Sequence, residues 1–486
     1  MSKEERRRPW ERADAVPVAK WRRRCGNWGT WSNIVGVTAM NPLKRFPRVN
    51  NAWVDLKHRV GHRLRRRDRA VEFEATATDP RNVLVVVVDC LRADHVSGFG
   101  HDRATTPTLD GFDAGAFSNA KAASTWTFPS VSSLLSGRYP HQHGARFDSD
   151  PRNLSAEEFP QRMRRDVATV PDLLGAVGYD TGMLTAIPMA EKAVGDRFED
   201  VSVRYTPATE RVAAAREWIA DRDRWFCYLH LGDPHVPLDI PDEHRTTFDV
   251  PEIDGIDDWR FRETTDGEGF DAYRDAKLRA YDAAVRGTDD ALRELLATLD
   301  DDTVVAICGD HGEAFWDHPQ LERRLNDDPR GYYATDHGHS VFEELARVPL
   351  WIRAPNVDRT ASDLPVSLVD VAPTVFSALG IDPPEAIAGR PLSEPSNGRT
   401  LLCEEIAYGY NQRAAWLDGQ KAITVPETDD TLAFKLDTYL EEEPLNAVPR
   451  DLEDVLASFG TGVEGAGQMD LDGDTRDRLE ELGYLE

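Results

Sequence analysis

Two apolar stretches of the sequence stop abruptly at charged residues. The first covers residues 83–88 and stops at Asp89, and the second, within TVVAICGDHGE (303–313), stops at Asp310 and His311. Apolar runs rich in β-branched residues are typical of strands buried on both faces of a sheet. In open α/β sheets, functional groups lie just beyond the carboxyl ends of such strands. If the two strands are neighbours, two carboxylates and an imidazole meet, and these are suitable ligands for a divalent cation.

Taken alone, Asp89 has a simpler interpretation. An aspartate at a strand end more often caps the following segment than binds a metal. Only the second run, which repeats the same design, makes the metal site the better hypothesis.

The pattern after residue 79 predicts alternating helices and strands. We expect helices over 168–180, 208–222, 272–299 and 367–381, and strands over 181–186, within 226–239 and over 348–352. Beyond residue 398, short strand-like runs at 414–417, 422–425 and 432–436 indicate a small antiparallel subdomain. The sequence therefore predicts an α/β fold with an N-terminal extension (1–78), a main domain (79–397) and a C-terminal subdomain with an acidic tail (398–486).

A loop rich in Ser and Thr leads into a predicted helix near Pro129. Proline is tolerated in a first helical turn, and the spacing of Val131, Leu134 and Leu135 is helical. Thr127 therefore stands at a helix N-terminus, where backbone N–H groups attract an anion. Because a threonine at this position is more often an N-cap than a nucleophile, both interpretations remain open on this observation.

The charge is strongly acidic overall but unevenly distributed. The net charge is -28, and only nine of the 58 basic residues are lysines, which suggests a halophilic source. Residues 1–70 instead carry a net charge of +13 and five of the twelve tryptophans. This arm is expected either to meet an anionic membrane surface or to pack on the acidic remainder of the chain. Nucleic acid is not expected as a partner, because no recognition motif accompanies the basic charge.

The five cysteines are dispersed without a CxxC spacing, which indicates reduced thiols rather than a disulfide framework or a zinc site. No secretory signal follows the N-terminus, and no window is apolar enough to cross a bilayer. The expected location is cytoplasmic, with peripheral attachment at the inner face of the membrane as an option. The oligomeric state has no signal in the sequence.

Seven segments, in order, resemble the sulfatase branch of the alkaline phosphatase superfamily. They are VDCLRADHVSGFGHDRATTPTLD, TFPSVSSLLSGRYPHQHG, DPHVPL, ICGDHGE, HGHSVFEELARVPL, SLVDVAPTVFSALGI and LGYL, between residues 79 and 486. The resemblance implies a three-layer sandwich with a large mixed central sheet, together with a small C-terminal antiparallel sheet. It also implies hydrolysis or transfer of sulfate or phosphate esters by a metal-activated nucleophile.

The resemblance also assigns residues. Asp89, Thr127, Asp310 and His311 match the metal ligands, and Thr127 also matches the nucleophile. His235, His337 and His339 match positions where the family contacts the anionic ester, the leaving group or a second metal. Of these, His235 and His339 are expected to hold the transferring group or protonate the leaving oxygen, and His337 to bind the substrate. Arg138 follows the nucleophile helix and is expected either to bind the substrate anion or to be structural.

Two residues depart from the sulfatase pattern. Sulfatases oxidise a Cys or Ser to formylglycine in a C/S-x-P-x-R motif, but here the motif begins at Thr127 and has Val131 in place of arginine. Cys90 replaces the second aspartate, which removes a hard oxygen ligand from a calcium-type site. The chain is thus similar to relatives that use an unmodified threonine with zinc or manganese, and an imidazole ligand favours those metals over calcium or magnesium.

The sequence therefore predicts a metal-dependent hydrolase or transferase of phosphate or sulfate esters that forms a covalent intermediate on Thr127. One alternative is a true sulfuric ester hydrolase that works without formylglycine. The other is a catalytically degenerate binding protein with the sulfatase fold, attached to membranes through residues 1–70.

Overall fold

The computed structural model describes residues 73–149, 151–155, 158–258, 267–394, 398–436, 442–459, 462–468 and 476. The predicted N-terminal extension, apart from 73–78, and the end of the predicted acidic tail beyond residue 468, apart from Arg476, lie outside the described residues. The predicted roles of the extension and the proposed domain boundaries stay predictions.

The largest sheet has nine strands. In chain order they are β1 (Val83–Val88), β2 (Gly115–Lys121), β3 (Asp180–Thr185), β4 (Asp200–Val203), β5 (Trp225–Leu231), β6 (Val304–Gly309), β7 (Arg347–Arg353), β8 (Ala361–Ser362) and β9 (Val366–Ser367). Their spatial order is β8–β2–β7–β6–β1–β5–β3–β4, and β9 also pairs with β2. Strands β6, β1, β5, β3 and β4 are parallel, whereas β7 runs antiparallel to β6 and β2. The sheet is therefore mixed, as predicted.

Helices cover both faces of this sheet. In chain order the helices are α1 (Pro107–Asp110), α2 (Thr127–Ser136), α3 (Pro140–His143), α4 (Val170–Ala176), α5 (Pro188–Val194), α6 (Ala208–Ala220), α7 (Asp242–Thr247), α8 (Phe270–Ala297), α9 (Pro319–Leu325), α10 (Glu343–Ala346), α11 (Val371–Leu379) and α12 (Arg450–Ser458). The odd-numbered residues of β1 pack with α2 and α11, and the even-numbered ones pack with α6 and α8. Since successive residues of a strand face opposite sides of the sheet, the apolar run of β1 is buried on both faces. This arrangement confirms the three-layer sandwich.

The predicted helices and strands are present with small shifts at their ends. The helix expected over 168–180 ends at Ala176, because Gly178 adopts a left-handed conformation with φ of 86° before β3 begins. The helix expected from residue 367 begins as a 3-10 turn at Leu368–Asp370, capped by the side chain of Ser367, and continues as α11.

A second, five-stranded antiparallel sheet confirms the predicted C-terminal subdomain. Its strands are β10 (Leu401–Glu404), β11 (Arg413–Leu417), β12 (Gln420–Val425), β13 (Asp430–Leu436) and β14 (Glu442–Pro444). Helix α12 packs on one face through Leu452 and Leu456. The other face packs against Val341, Phe342 and Ala346, which lead into β7 of the large sheet.

Two further predictions from the sequence concern the cysteines and membrane-spanning segments. Cys90, Cys227, Cys308 and Cys403 are free and buried, as expected for reduced thiols, while Cys25 lies outside the described residues. In the part of the chain that the structure describes, no helix combines the length and the apolar character needed to span a membrane.

Candidate active site

The centre of the candidate site lies where two neighbouring parallel strands end. Strands β1 and β6 pair in register with Val88 opposite Gly309, so Asp89 and Asp310 follow at equivalent positions. The next residue, His311, places its Nε2 at 3.3 Å from Asp89 Oδ1 and 3.6 Å from Asp310 Oδ2. The structure therefore brings together the three residues that the two apolar runs singled out.

Helix α2 brings Thr127 to the same point. Trp126, in an extended conformation, is the N-cap residue, and Thr127 is the first residue of the helix. The Oγ1 atom of Thr127 lies 3.3 Å from His311 Nε2. Ser130, one turn along the helix, donates to the carbonyl of Asp310 at 2.6 Å and so holds the helix against the end of β6. Thr127 thus faces the carboxylates and is not the N-cap of α2.

Several polar atoms at this point are buried and have no hydrogen-bond partner among the described residues. They are Oδ2 of Asp89, Oδ2 of Asp310 and Nε2 of His230, from side chains that are at most 2% exposed. Burial raises the pKa of Asp89 well above its usual value, and the nearby carboxylate of Asp310 raises it further. Buried polar atoms in folded proteins are nearly always satisfied. Two facing carboxylates with unused oxygens are therefore well suited to hold a divalent cation.

Cys90 lies directly beside this group. It has a left-handed backbone with φ of 60°, and its Sγ is 3.3 Å from Asp89 Oδ1 and 3.7 Å from His337 Nδ1. Burial, followed by the charge of Asp89, raises the pKa of the thiol well above its usual value. In this protein a neutral thiol thus occupies the position at which the sulfatase pattern has an aspartate.

His235 and His337 extend the site on the side of Cys90. The ring of His337 lies 4.5 Å from that of His311 and 5.1 Å from that of His235, measured between centroids. Nδ1 of His337 contacts carboxylate oxygens of Glu313 at 2.9 Å and Asp336 at 3.1 Å. Burial lowers the pKa of His337, but these two carboxylates outweigh it and raise that pKa to about 10. His337 is therefore a cation at neutral pH, as the proposed contact to an anionic ester requires.

The other two predicted residues make different contacts. Nδ1 of His339 pairs with Glu322 at 3.2 Å, and its main-chain carbonyl accepts from Asn326. Arg138 lies beyond the C-terminal end of α2, roughly 16 Å along the helix from Thr127 at 1.5 Å per residue. It donates to the carbonyl of Glu385 at 2.6 Å and lines a separate surface cavity. The structure does not bring Arg138 to the strand ends, so its predicted role in substrate binding has no support from its position.

Sequence reasoning missed three residues of the site: His230, Glu313 and Asp336. His230 stands inside the apolar strand β5, in a stretch for which the sequence pattern predicts only a strand. A single histidine in an otherwise apolar central strand was a usable signal. Glu313 stands two residues after His311 and Asp336 directly before His337, but their convergence on one imidazole depends on the path of the segment of more than twenty residues between them, which contains α9.

Comparisons with known proteins identify the family of the chain. The sequence model of the sulfatase family matches residues 81–381. A multifunctional alkaline phosphatase superfamily protein of Trinickia caryophylli is 24% identical over 470 residues, covering 76% of this chain and 88% of the relative. For another curated relative the match spans only 18% of its length.

Solved structures share the fold. A phosphonate monoester hydrolase of Silicibacter pomeroyi superposes with a TM-score of 0.55 at 18% identity, covering 78% of this chain and 94% of that one. A protein solved in complex with its substrate D-glucosamine-2-N,6-O-disulfate superposes with a TM-score of 0.58 at 17% identity, covering 74% and 91%.

Proposed function

The chain belongs to the sulfatase family of ester hydrolases, and on that basis we propose that its nucleophile is the hydroxyl of Thr127 and its preferred substrates are phosphate esters. As a family member it is a hydrolase of the alkaline phosphatase superfamily that acts on sulfate or phosphate esters. The covalent step on Thr127, the metal and the preference for phosphate are the proposal.

One observation carries the proposal: Thr127 Oγ1 lies 3.3 Å from His311 Nε2, beside the unused oxygens of Asp89 and Asp310. The hydroxyl begins a helix, so the first N–H groups and the helix dipole favour an anionic group at the same place. A nucleophile, an anion-binding helix end and two carboxylates thus meet at the end of the central strands.

The proposed reaction has two steps. In the first step Thr127 releases its hydroxyl proton to solvent, and Oγ forms a bond to phosphorus while the bond from phosphorus to the leaving oxygen breaks. A proton from His337 neutralises the departing alkoxide and leaves His337 neutral, while His235 holds the transferring group. In the second step the oxygen of water, or of an acceptor alcohol in transfer, forms a bond to phosphorus while the bond from phosphorus to Oγ breaks. The attacking oxygen gives its proton to the neutral His337, and Oγ regains a proton from solvent. The cationic His337 binds the anionic ester before either step.

Sulfatase-family enzymes use a divalent metal, and Asp89, Asp310 and His311 would hold it here. When bound, the cation lowers the pKa of the nucleophilic hydroxyl and neutralises charge on the ester oxygens. The mixture of carboxylate and imidazole ligands, without the second aspartate that Cys90 replaces, favours zinc or manganese over calcium.

The preference for phosphate over sulfate follows from Thr127 and Val131. Threonine cannot be oxidised to the formylglycine on which sulfatases rely, and Val131 leaves the oxidation motif incomplete. We therefore expect phosphate monoesters, phosphate diesters or phosphonate monoesters to be turned over faster than aryl sulfates.

The decisive experiment compares chromogenic phosphate, phosphonate and sulfate esters with wild type, Thr127→Ala and Thr127→Ser, each with zinc or manganese. We expect Thr127→Ala to abolish turnover and Thr127→Ser to retain part of it, because serine keeps the hydroxyl. Intact-protein mass spectrometry after acid quenching should find the ester of Thr127 in wild type only. Ser132→Ala, a buried hydroxyl of α2 that bonds within its own helix to Phe128, is the matched control and should keep full activity. Equal turnover of aryl sulfates by wild type and Thr127→Ala would show that Thr127 is not the nucleophile.

A further inference from the structure

Strand alternation places His230 on the face of the sheet that carries the site. In the parallel pairing of β5 with β1, His230 lies opposite Val87, and Tyr228 lies opposite Val85. The odd-numbered residues of β1 and Tyr228 belong to the apolar layer that contains α2. Asp89 continues the same alternation two residues after Val87. His230 therefore lies one level below Asp89, on the side of the sheet from which Thr127 approaches.

The free ring nitrogen of His230 lies near both carboxylates. Its Nε2 lies 3.8 Å from Asp89 Oδ2 and 3.7 Å from Asp310 Oδ2, and among the described residues none of these three atoms has a hydrogen-bond partner. The distances are too long for hydrogen bonds. Tetrahedral ligands at about 2.1 Å from a zinc ion are separated by about 3.4 Å, so the two distances from Nε2 are only slightly longer than those in a bound site. One ligand atom from each of Asp89, His230 and Asp310 lies within 4.8 Å of the other two.

The second ring nitrogen of His230 is fixed. Nδ1 lies 3.0 Å from the hydroxyl of the buried Tyr228, which can accept its proton. When Nδ1 donates to this hydroxyl, the ring is in the tautomer that leaves a lone pair on Nε2, as a metal ligand requires. Histidines that bind metals almost always have their other nitrogen bonded in this way, because the partner orients the ring.

A purely structural role explains these facts less well. Another buried histidine, His143, shows what such a role looks like in this fold: its Nε2 lies 2.8 Å from Ser133 Oγ, and its Nδ1 accepts from the N–H of Ala145. Both nitrogens of His143 are satisfied within the protein, whereas Nε2 of His230 points to two acceptor oxygens without bonding to either.

We propose that Nε2 of His230 is a further ligand of the divalent cation held by Asp89 and Asp310, an inference that rests on the metal site of the proposed function. It extends the expected ligand set of two carboxylates and His311 by a second imidazole. That addition shifts the preference towards borderline cations such as zinc and cobalt and away from calcium and magnesium.

The experiment titrates the metal-stripped full-length protein with Co²⁺ and follows binding by calorimetry and by the visible absorption of the bound ion. We expect His230→Ala and His230→Gln to weaken Co²⁺ binding at least tenfold, and Tyr228→Phe to weaken it less, because it loosens only the orientation of the ring. His143→Ala, the matched buried control, should bind Co²⁺ as wild type does.

The outcomes separate this inference from the proposed function. If Asp310→Ala loses Co²⁺ while both His230 variants bind it with wild-type affinity, the metal site stands and His230 is not a ligand. If Asp310→Ala binds Co²⁺ unchanged, the metal site of the proposed function itself fails.

A measurement on wild type covers the case in which the His230 variants do not fold. With one equivalent of Co²⁺, proton NMR should show two exchangeable, hyperfine-shifted imidazole N–H signals. They would come from Nδ1 of His230 and from Nδ1 of His311, which bonds the carbonyl of Gly312 at 2.9 Å. A single such signal would overturn the inference.

Discussion

Two groups of buried polar side chains in this protein differ in whether their carboxylate oxygens have hydrogen-bond donors within the chain. The strand-end cluster consists of Asp89, Asp310 and His230, and the joint cluster consists of Glu343, Lys121, Lys421 and Trp416, between the large and the small sheet. The side chains of both clusters are almost fully buried. In the joint cluster, Glu343 Oε2 accepts from Lys121 at 2.5 Å, and Oε1 accepts from Trp416 at 2.6 Å and contacts Lys421 at 3.3 Å. In the strand-end cluster, one oxygen of each carboxylate accepts nothing from the described residues.

The difference separates a structural role from a functional one. The joint cluster contains its own cations, and both lysines also lie within 5.3 Å of the Trp416 ring centroid. In the strand-end cluster, no lysine or arginine of the described part of the chain pairs with the two carboxylates. Burial alone therefore does not identify a site, whereas two carboxylates that face each other with unpaired oxygens indicate one.

The largest expected effect is on activity at the strand-end cluster. Asp310→Ala should lose the metal and reduce kcat/KM by more than about 100-fold, because removing even a residue that only orients a ligand costs about 10- to 100-fold. Elemental analysis of the purified protein, alongside turnover of a phosphate ester, tests this. A variant with full metal occupancy would place the site elsewhere.

The next effect is on stability at the joint cluster. Glu343→Ala should lower the free energy of unfolding by about 3–5 kcal/mol, because it leaves two buried lysines without their carboxylate. At temperatures where it is folded, the variant should keep the wild-type kcat/KM. Urea unfolding and steady-state kinetics measure both quantities.

The matched variant at the strand-end cluster should behave in the opposite way. In metal-free protein, Asp310→Asn should cost nothing or increase stability, because it removes one of two facing carboxylates. A loss as large as that of Glu343→Ala would mean that Asp310 is structural, and the contrast between the clusters would fail.

Metal should stabilise the protein through one cluster only. At a free metal concentration of 100 times Kd, the unfolding free energy should rise by about 2.7 kcal/mol in wild type and in Glu343→Gln. The rise should be absent in Asp310→Ala. Thermal unfolding with and without zinc or manganese checks this, and an equal rise in all three proteins would indicate a different binding site.

The smallest effect is the pH dependence of the joint cluster. Burial raises the pKa of Glu343, but Lys121 and Lys421 outweigh it and lower that pKa to about 2. Because the folded-state pKa is below the unfolded value near 4.5, the contribution of Glu343 is complete above that value and is lost as the pH falls towards 2. The stability difference between wild type and Glu343→Gln should therefore shrink between pH 5 and pH 2. A difference that stays constant over this interval would show that Glu343 is not held ionised by the lysines.

The sequence alone determined the local helices and strands of this protein and the positions of Asp89, Asp310 and Thr127 at their ends. The apolar runs before Asp89 and Asp310 are typical of buried strands, and each carboxylate follows the carboxyl end of its strand. The helical spacing after Pro129 in the same way fixed Thr127 at a helix N-terminus. These predictions succeeded because strand and helix periodicity is a property of neighbouring residues.

Tertiary structure decided which side chains meet. The strand order puts β5 and β6 on either side of β1, although long segments of chain separate the three, and this order turns His230 from a core residue into a neighbour of both carboxylates. The same non-local packing brings Glu313 and Asp336 to His337 and places Arg138 at the far end of α2. The pairing of distant strands depends on the whole core and not on any local pattern, so the sequence determined where each polar residue ends a strand and only the fold determined its partners.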